Sequence, residues 1–409
     1  PKVKQRTYEG DSYKADLNAA IASFFPSVNA SIGAQYSFGR SIDPESNVYN
    51  NTTTFDNGYG LNMSLPLFNG GQLVNQWRMA RVDYLSGMNE VQKEKDDLAI
   101  NTMQAFLDVI YYSGTVRLAA EQLEENNRVL YKARRSEELG LKGKADVAQI
   151  EAQVAAGDYN LTRQQNLLNT AMLTLKQNMN YPACMPLDID TAIMAVWPVV
   201  NVSVADIYDY ASANNPTAIQ AGMQLQSYKM RYRMAKGRLF PSLSFSAGIS
   251  TDYYKNLKQG QTPAPFATQF KNNRGEYVSF SLSFPLFQGL DRISGLRKAR
   301  NNMYMAQERQ TEVLRQLRTA IEQAVLDLEG YAKETMQMEK KVKADEIAYQ
   351  VTLRKFEEGL MSAIDLQTSA NTLLLSRADL LQRRLMYLMK CKLVDYYNGR
   401  PLIDDIEMR

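Results

Sequence analysis

Few side chains in this sequence have the means to do chemistry. Two adjacent carboxylate pairs, Asp96-Asp97 and Glu357-Glu358, have the composition of a general acid and base. Two cysteines, Cys184 and Cys391, are the available thiols. The 409 residues contain no histidine. That excludes His-based triads and most zinc or copper sites. The cysteines have no metal-ligand spacing and sit at non-equivalent places of the repeat described below, so idle or buried thiols are the simple reading. The carboxylate pairs fall in long helix-forming stretches and read as solvated faces. No Gly-rich phosphate loop or nucleophile elbow is present. Catalysis, cofactor and metal are therefore not expected.

Two other acids, Asp146 and Asp365, lie 219 positions apart, and much else keeps that spacing. Pro66 falls on Pro285, Leu67 on Leu286, Phe68 on Phe287 and Gly70 on Gly289. Gly140-Leu141 falls on Gly359-Leu360, and Pro182 on Pro401. Upstream the offset becomes 215, where Phe25-Pro26-Ser27 meets Phe240-Pro241-Ser242. The chain is a tandem duplication, and a repeat must be recognised before any fold is assigned. We divide it into a first repeat (1–182), an inter-repeat segment (183–213), a second repeat (214–401) and a tail (402–409).

The elements that would position these residues are of two kinds. Four segments alternate apolar and polar residues with period two, as half-buried strands do. They carry Val28 to Phe38, Tyr59 to Leu65, Leu243 to Ile249 and Val278 to Phe284. Each is read as about ten residues, the length a tilted strand needs to cross a bilayer. The stretches between them, 40–57 and 254–275, are read as polar loops. After each second strand comes a proline-free run, Gly71 to Leu139 and Leu290 to Glu358, rich in helix formers. At ~1.5 Å per residue each makes a rod roughly 100 Å long. Leu314, Leu317, Ile321, Ala324, Leu328 and Tyr331 alternate steps of three and four, a seam for coiled-coil packing. The first copy has a looser seam through Met103, Phe106 or Leu107, and Ile110. Each rod ends at a Gly-containing turn, and a second helix returns to about 180 or 398.

Net charge is +3 with both signs interspersed, so nothing favours nucleic acid. The longest apolar run, residues 191–200, is too short for a membrane-spanning helix, but a membrane β-barrel passes the same test.

Two hairpins, each leading into such a rod and duplicated in tandem, resemble the TolC-like outer-membrane factor family. The points of resemblance are "NNP" at 214–216, "FPS" at 25–27 and 240–242, "PLF.G" at 66–70 and 285–289, and the turn motif "GL" followed by Asp at 140–146 and 359–365. The resemblance implies an α+β membrane protein. As a homotrimer, each chain would give four strands to one twelve-stranded outer-membrane β-barrel, continued by a long periplasmic α-helical coiled-coil barrel. Independently, four strands cannot close a barrel and an open edge is forbidden in lipid, which leaves eight, twelve or sixteen strands. Ser279, Ser281, Ser283, Asn29, Ser31 and Gln35 would line the lumen, the apolar face would meet outer-membrane lipid, and 183–213 would belt the helical barrel.

The function implied is a passive exit duct. It would serve tripartite efflux or type I secretion, connecting an inner-membrane transporter to the exterior through a periplasmic adaptor. Drugs, metal ions and polypeptides all remain open as cargo. The alternatives are a non-transporting coiled-coil scaffold of the envelope and a diffusion porin with a permanently open tip. The resemblance places adaptor docking at Gly140, Leu141, Gly359 and Leu360, where Gly also suits a helix C-cap. It places a periplasmic gate at Asp365, with Met361 and Thr368 standing where a basic tether and a second acid can occur. Asp365 and Asp146 both fall in the first turn of a return helix, where a carboxylate offsets exposed N–H groups, so capping is the competing role.

Overall fold

The computed structural model describes residues 1–42, 47–190, 203–257 and 264–400. The apolar run 191–200, part of the segment expected to belt the helical barrel, Pro401 and the 402–409 tail lie outside the described residues. The chain forms two compact units, each drawing on both halves of the sequence: Thr7–Met88 with Gln220–Gln310, and Pro1–Arg6 with Asn89–Ile219 and Thr311–Arg409.

The first of these holds the sheet. Strands β1 (Ser27–Ile42), β2 (Tyr49–Phe68), β3 (Ser242–Asn256) and β4 (Gly275–Ser283) pair antiparallel in the order β1-β2-β3-β4. The register lines up the alternation across all four. Val28 faces Met63, Met63 faces Ala247 and Ala247 faces Val278. On the opposite surface Ser27, Ser64, Ser246 and Ser279 form the matching row. One face is therefore apolar and the other small and polar. The apolar face is bare in the chain, with Ile32 76% and Phe280 67% exposed. So large an exposed apolar surface calls for a cover.

Three of the strands are longer than the ten residues expected, at 16, 20 and 15, while β4 has 9. Residues 49–57, read as loop, extend β2 and pair with β1 up to Ile42. Thr and aromatic side chains suit a pleated surface, so polarity alone misjudged the segment. The stretch 254–275 is likewise not all loop, since helix α6 (Phe266–Asn272) lies inside it. At seven residues α6 is too short to show a periodic pattern.

Where β2 ends, register slips between Pro66 and Phe68, because proline cannot donate to the ladder. Gly70 then takes φ +66° and lies against the end of α5 (Pro216–Gly237). A Cβ at Gly70 would stand 2.1 Å from the Gly237 carbonyl oxygen. The second motif leaves Leu286 94% and Phe287 81% exposed just past β4. Phe25, Phe68 and Phe240 are exposed at the same end of the sheet, as a barrel's aromatic girdle is.

Helices α2 (Gln72–Glu138) and α7 (Asp291–Glu357) run 67 residues each, within one residue of the expected limits at both ends. Their returns α3 (Lys144–Asn178) and α8 (Ala363–Tyr397) run 35 each. The α7 seam is as read: Leu317, Ile321, Ala324 and Leu328 are buried, with Leu314 and Tyr331 packed beside them. Helix α4 (Val204–Asn214), capped by Ser203, presses Ile207 and Ala211 into that cluster along with Tyr387 and Val394 of α8. The α2 seam looks loose because α2 buries two faces. Ala105 and Val109 meet Ala171 and Leu175 of α3, while Leu107 and Ile110 meet Leu385 of α8. Two overlapping stripes blur any single heptad. No described helix is long and apolar enough to cross a membrane.

Candidate functional site

Both rods stop in the same way. At the first turn Gly140 N–H donates to the Glu137 carbonyl and Leu141 N–H to that of Ser136, each at 2.8 Å. At the second, Gly359 N–H donates to Phe356 at 3.1 Å and Leu360 N–H to Lys355 at 2.8 Å. Gly140 and Gly359 have φ of +73° and +76°. These are paired Schellman caps, and only glycine takes that conformation without steric cost. The capping role of the glycines is thus filled.

The leucines are another matter. In a Schellman cap the residue after the glycine commonly packs back on an apolar residue of the last turn. Here the positions that would receive it hold Arg135 and Ser136, and Arg354 and Lys355. Leu141 and Leu360 are accordingly 76% and 70% exposed. Leu139 and Ile364 are exposed beside them in sequence. The turns present exposed apolar knobs, which capping alone does not require.

Asp365 caps α8. The Ser362 hydroxyl donates to Asp365 Oδ2 at 2.7 Å, and Ser362 N–H donates to the same oxygen at 3.2 Å. In return Asp365 N–H donates to Ser362 Oγ at 3.3 Å, completing a capping box. These bonds hold the Asp365 carboxyl below its ordinary range, the Ser362 hydroxyl contributing most. A depressed carboxyl pKa adds stability above the unfolded value and loses it as pH falls through the folded one, so this box weakens only on acidification. Asp146 holds the same place in α3, but Gly143 stands where Ser362 does and supplies no side-chain cap. The two acids, equivalent in the repeat, are not equivalent in structure. Thr368 donates its hydroxyl to the Ile364 carbonyl at 2.9 Å, and Thr368, Asp365 and Met361 are all exposed.

Behind the turns four helices pack together. Val129 and Ala133 of α2, Val147 and Ile150 of α3, Tyr349 and Phe356 of α7, and Ala363 and Leu366 of α8 form one buried cluster. Three polar contacts bind it. Lys142 Nζ lies 3.5 Å from the centre of the Phe356 ring, and burial lowers its pKa. Lys132 of α2 pairs with Glu357 of α7 at 2.5 Å. Buried Gln153 of α3 donates its amide to the Ala363 carbonyl at 3.1 Å and to Gln367 Oε1 at 3.2 Å, latching α3 to the start of α8. Sequence reading passed over all three. A glutamine inside a polar helical stretch carries no sign that its amide is buried.

The outer membrane efflux protein family model matches residues 1–180 and 207–390. The chain belongs to the outer membrane efflux protein family. It is similar to the outer membrane protein TolC of Escherichia coli K12, 22% identical over 405 residues that cover 95% of this chain and 77% of that protein. Its fold is that of the outer membrane protein VceC of Vibrio cholerae, with TM-score 0.83 and 14% identity over 98% of this chain and 93% of the other. The Campylobacter jejuni CmeC outer membrane channel gives 0.82 at 14% identity, over 97% and 82%. The protein is therefore an outer-membrane exit duct for efflux, with its helical part in the periplasm, and the scaffold reading falls away.

In this efflux protein two of the early candidates for chemistry, Glu357 and Asp96, have structural partners. Glu357 holds Lys132, as above. Asp96 is not simply solvated: its Oδ2 accepts the Tyr396 hydroxyl at 3.0 Å, and burial, with the Asp96 charge beside it, pushes the Tyr396 pKa up. Cys184 and Cys391 are both free thiols.

Proposed function

We propose that three copies of this chain close one twelve-stranded barrel, and that the resulting duct passively exports what an inner-membrane transporter delivers through a periplasmic adaptor. The observation that carries this is the sheet itself, whose first and last strands, β1 and β4, each pair on one side only. Those edges cannot stand in lipid unpaired. The adaptor docks on Leu141 and Leu360, whose exposed apolar side chains have no cover within their own caps. Nothing in this reading needs a nucleotide, a metal or a catalytic group.

The same reading makes the start of α8 the gate. Three Asp365 carboxylates, brought near a threefold axis, repel one another, and a multivalent cation relieves that repulsion. Protein reconstituted in planar bilayers should conduct in discrete steps, and micromolar-range cobalt hexammine on the periplasmic side should block them. Asp365→Asn should abolish the block, whereas Asp146→Asn should leave it. Equal sensitivity of the two variants would reduce Asp365 to a helix cap.

The Gln153 latch holds the resting state in this account. Its two hydrogen bonds contribute about 2 kcal/mol together. Gln153→Ala should therefore raise the open fraction of unblocked channels by about 30-fold. An unchanged open probability would separate the latch from gating.

A further inference from the structure

Helix α6 has no place in the duct as described so far, yet the sheet is built to hold it. Beyond Ser250 strand β3 loses its partner β4. Side chains from α6 and its C-cap take over: Tyr254 N–H donates to Gln269 Oε1 at 2.9 Å, Gln269 Nε2 donates back to the Tyr254 carbonyl at 3.1 Å, and Asn273 Nδ2 donates to the Asp252 carbonyl at 2.9 Å. The Thr251 hydroxyl donates to the Phe270 carbonyl at 2.7 Å. Thr251 is on the apolar side of β3, opposite Tyr59, so α6 lies over that side.

There it completes an aromatic tier. Tyr59 meets Phe266 and Phe270 at 6.1 and 5.3 Å between ring centres, Tyr253 meets Phe266 at 5.6 Å, and Phe55 meets Tyr36 and Tyr253 at 4.8 and 6.4 Å. Phe266 and Phe270 remain 48% and 41% exposed although packed on each other and on the Tyr59 and Tyr253 rings. The order of residues on this face is informative. Along β3 it is wholly apolar from Leu243 to Ile249, about 20 Å of strand. Next come Thr251, Tyr253 and their ring partners, with Lys255 one step outward and level with Phe55 and Tyr36, and Arg40 further out on β1, opposite Asn51. The first acid on the face, Glu276 opposite Ile249, is ion-paired to Arg274. An apolar band followed by aromatics, with cations among and beyond them, is the profile of a hydrocarbon core passing into an anionic headgroup layer.

We infer that α6 is an interfacial anchor: Phe266 and Phe270 seat in the outer leaflet just beneath its headgroups, fixing the depth at which the barrel sits, with Arg40 and Lys255 facing the anionic layer. The occupant is lipid and not a second copy, because beyond Ser250, where β3 is itself the edge, Gln269 and Asn273 already take up the Tyr254 and Asp252 backbone groups that a neighbouring strand would use. The inference rests on the reading that the apolar sheet face meets lipid.

Tryptophan depth quenching tests both points separately. The full-length protein would carry Ala267→Trp, which leaves the ring cluster intact, or Phe266→Trp, with Phe280→Trp in β4 as the control for the apolar band. Each is reconstituted into phosphatidylcholine–phosphatidylglycerol vesicles brominated near the glycerol end or near the methyl end of the acyl chain. Spectra of the parent protein remove the signal of Trp77 and Trp197. Residues 266 and 267 should be quenched several-fold more by the shallow bromines than by the deep ones. Phe280→Trp should be quenched at least as well by the deep ones. A quenched control beside α6 tryptophans that respond only to aqueous acrylamide, or to neither quencher because protein covers them, overturns the anchor alone. An unquenched control overturns the lipid-facing sheet and the anchor with it.

Discussion

A chain carrying Leu141→Asp and Leu360→Asp together should assemble normally and export nothing. Assembly survives because neither side chain belongs to the buried cluster behind the turns, and both glycine caps use backbone groups that the substitutions leave in place. Export fails because two apolar knobs become two carboxylates. Moving one such charge into an apolar contact costs several kcal/mol, and the two turns act together, so adaptor binding should weaken by more than about a thousandfold. The measurement is export in cells at matched outer-membrane protein levels, with the purified variant checked for its oligomer. Normal export at matched levels would show that the turns are caps and nothing more. Leu141→Met and Leu360→Met provide the counterpart: they keep apolar bulk and should keep export.

The second large effect comes from the "PLF.G" motif, which the repeat provides twice in different surroundings. Gly70→Ala should leave almost no assembled protein, because the new Cβ meets the Gly237 carbonyl oxygen at 2.1 Å, and φ of +66° adds its own strain. A backbone–backbone clash cannot be relieved by turning a side chain. The loss should exceed about 4 kcal/mol, a large part of a typical domain's stability. Gly289→Ala falls on the same repeat position with φ +56°, but nothing lies within 4 Å of its Cβ. It should cost only the left-handed strain, about 1–2 kcal/mol. The readout is the amount of oligomer surviving on unheated gels and its melting temperature. Equal losses for the two variants would mean that conformation, and not the close approach to α5, fixes this glycine.

What the sequence made legible was whatever repeats or keeps a period. The apolar rows of the sheet, the limits of α2 and α7 and the α7 seam follow from alternation, absence of proline and steps of three and four. The two turns were legible because Gly-Leu recurs at a spacing of 219. What stayed hidden depends on single contacts between distant segments. Nothing near Gly237 reveals that its carbonyl receives Gly70, and nothing near Gln153 reveals the carbonyl of Ala363. Tyr277 reaches past Gly248 to donate to Asn62 at 3.1 Å on the polar face, a contact that no local pattern signals. Asp146 and Asp365 looked alike until the residue three before each, Gly143 or Ser362, decided which of them a hydroxyl would cap. Helix α6 was missed for a simpler reason, since seven residues give a period too few turns to register.

The account turns on assembly, and one measurement reaches it most directly. Light scattering of the detergent-solubilised protein, corrected for bound detergent, gives the protein mass of the particle without reference to export or conductance. A single species of three times the chain mass, stable on dilution, is the predicted result, because each sheet edge then finds a partner. A monodisperse folded monomer would contradict the duct outright, since four strands alone leave two edges open and enclose nothing.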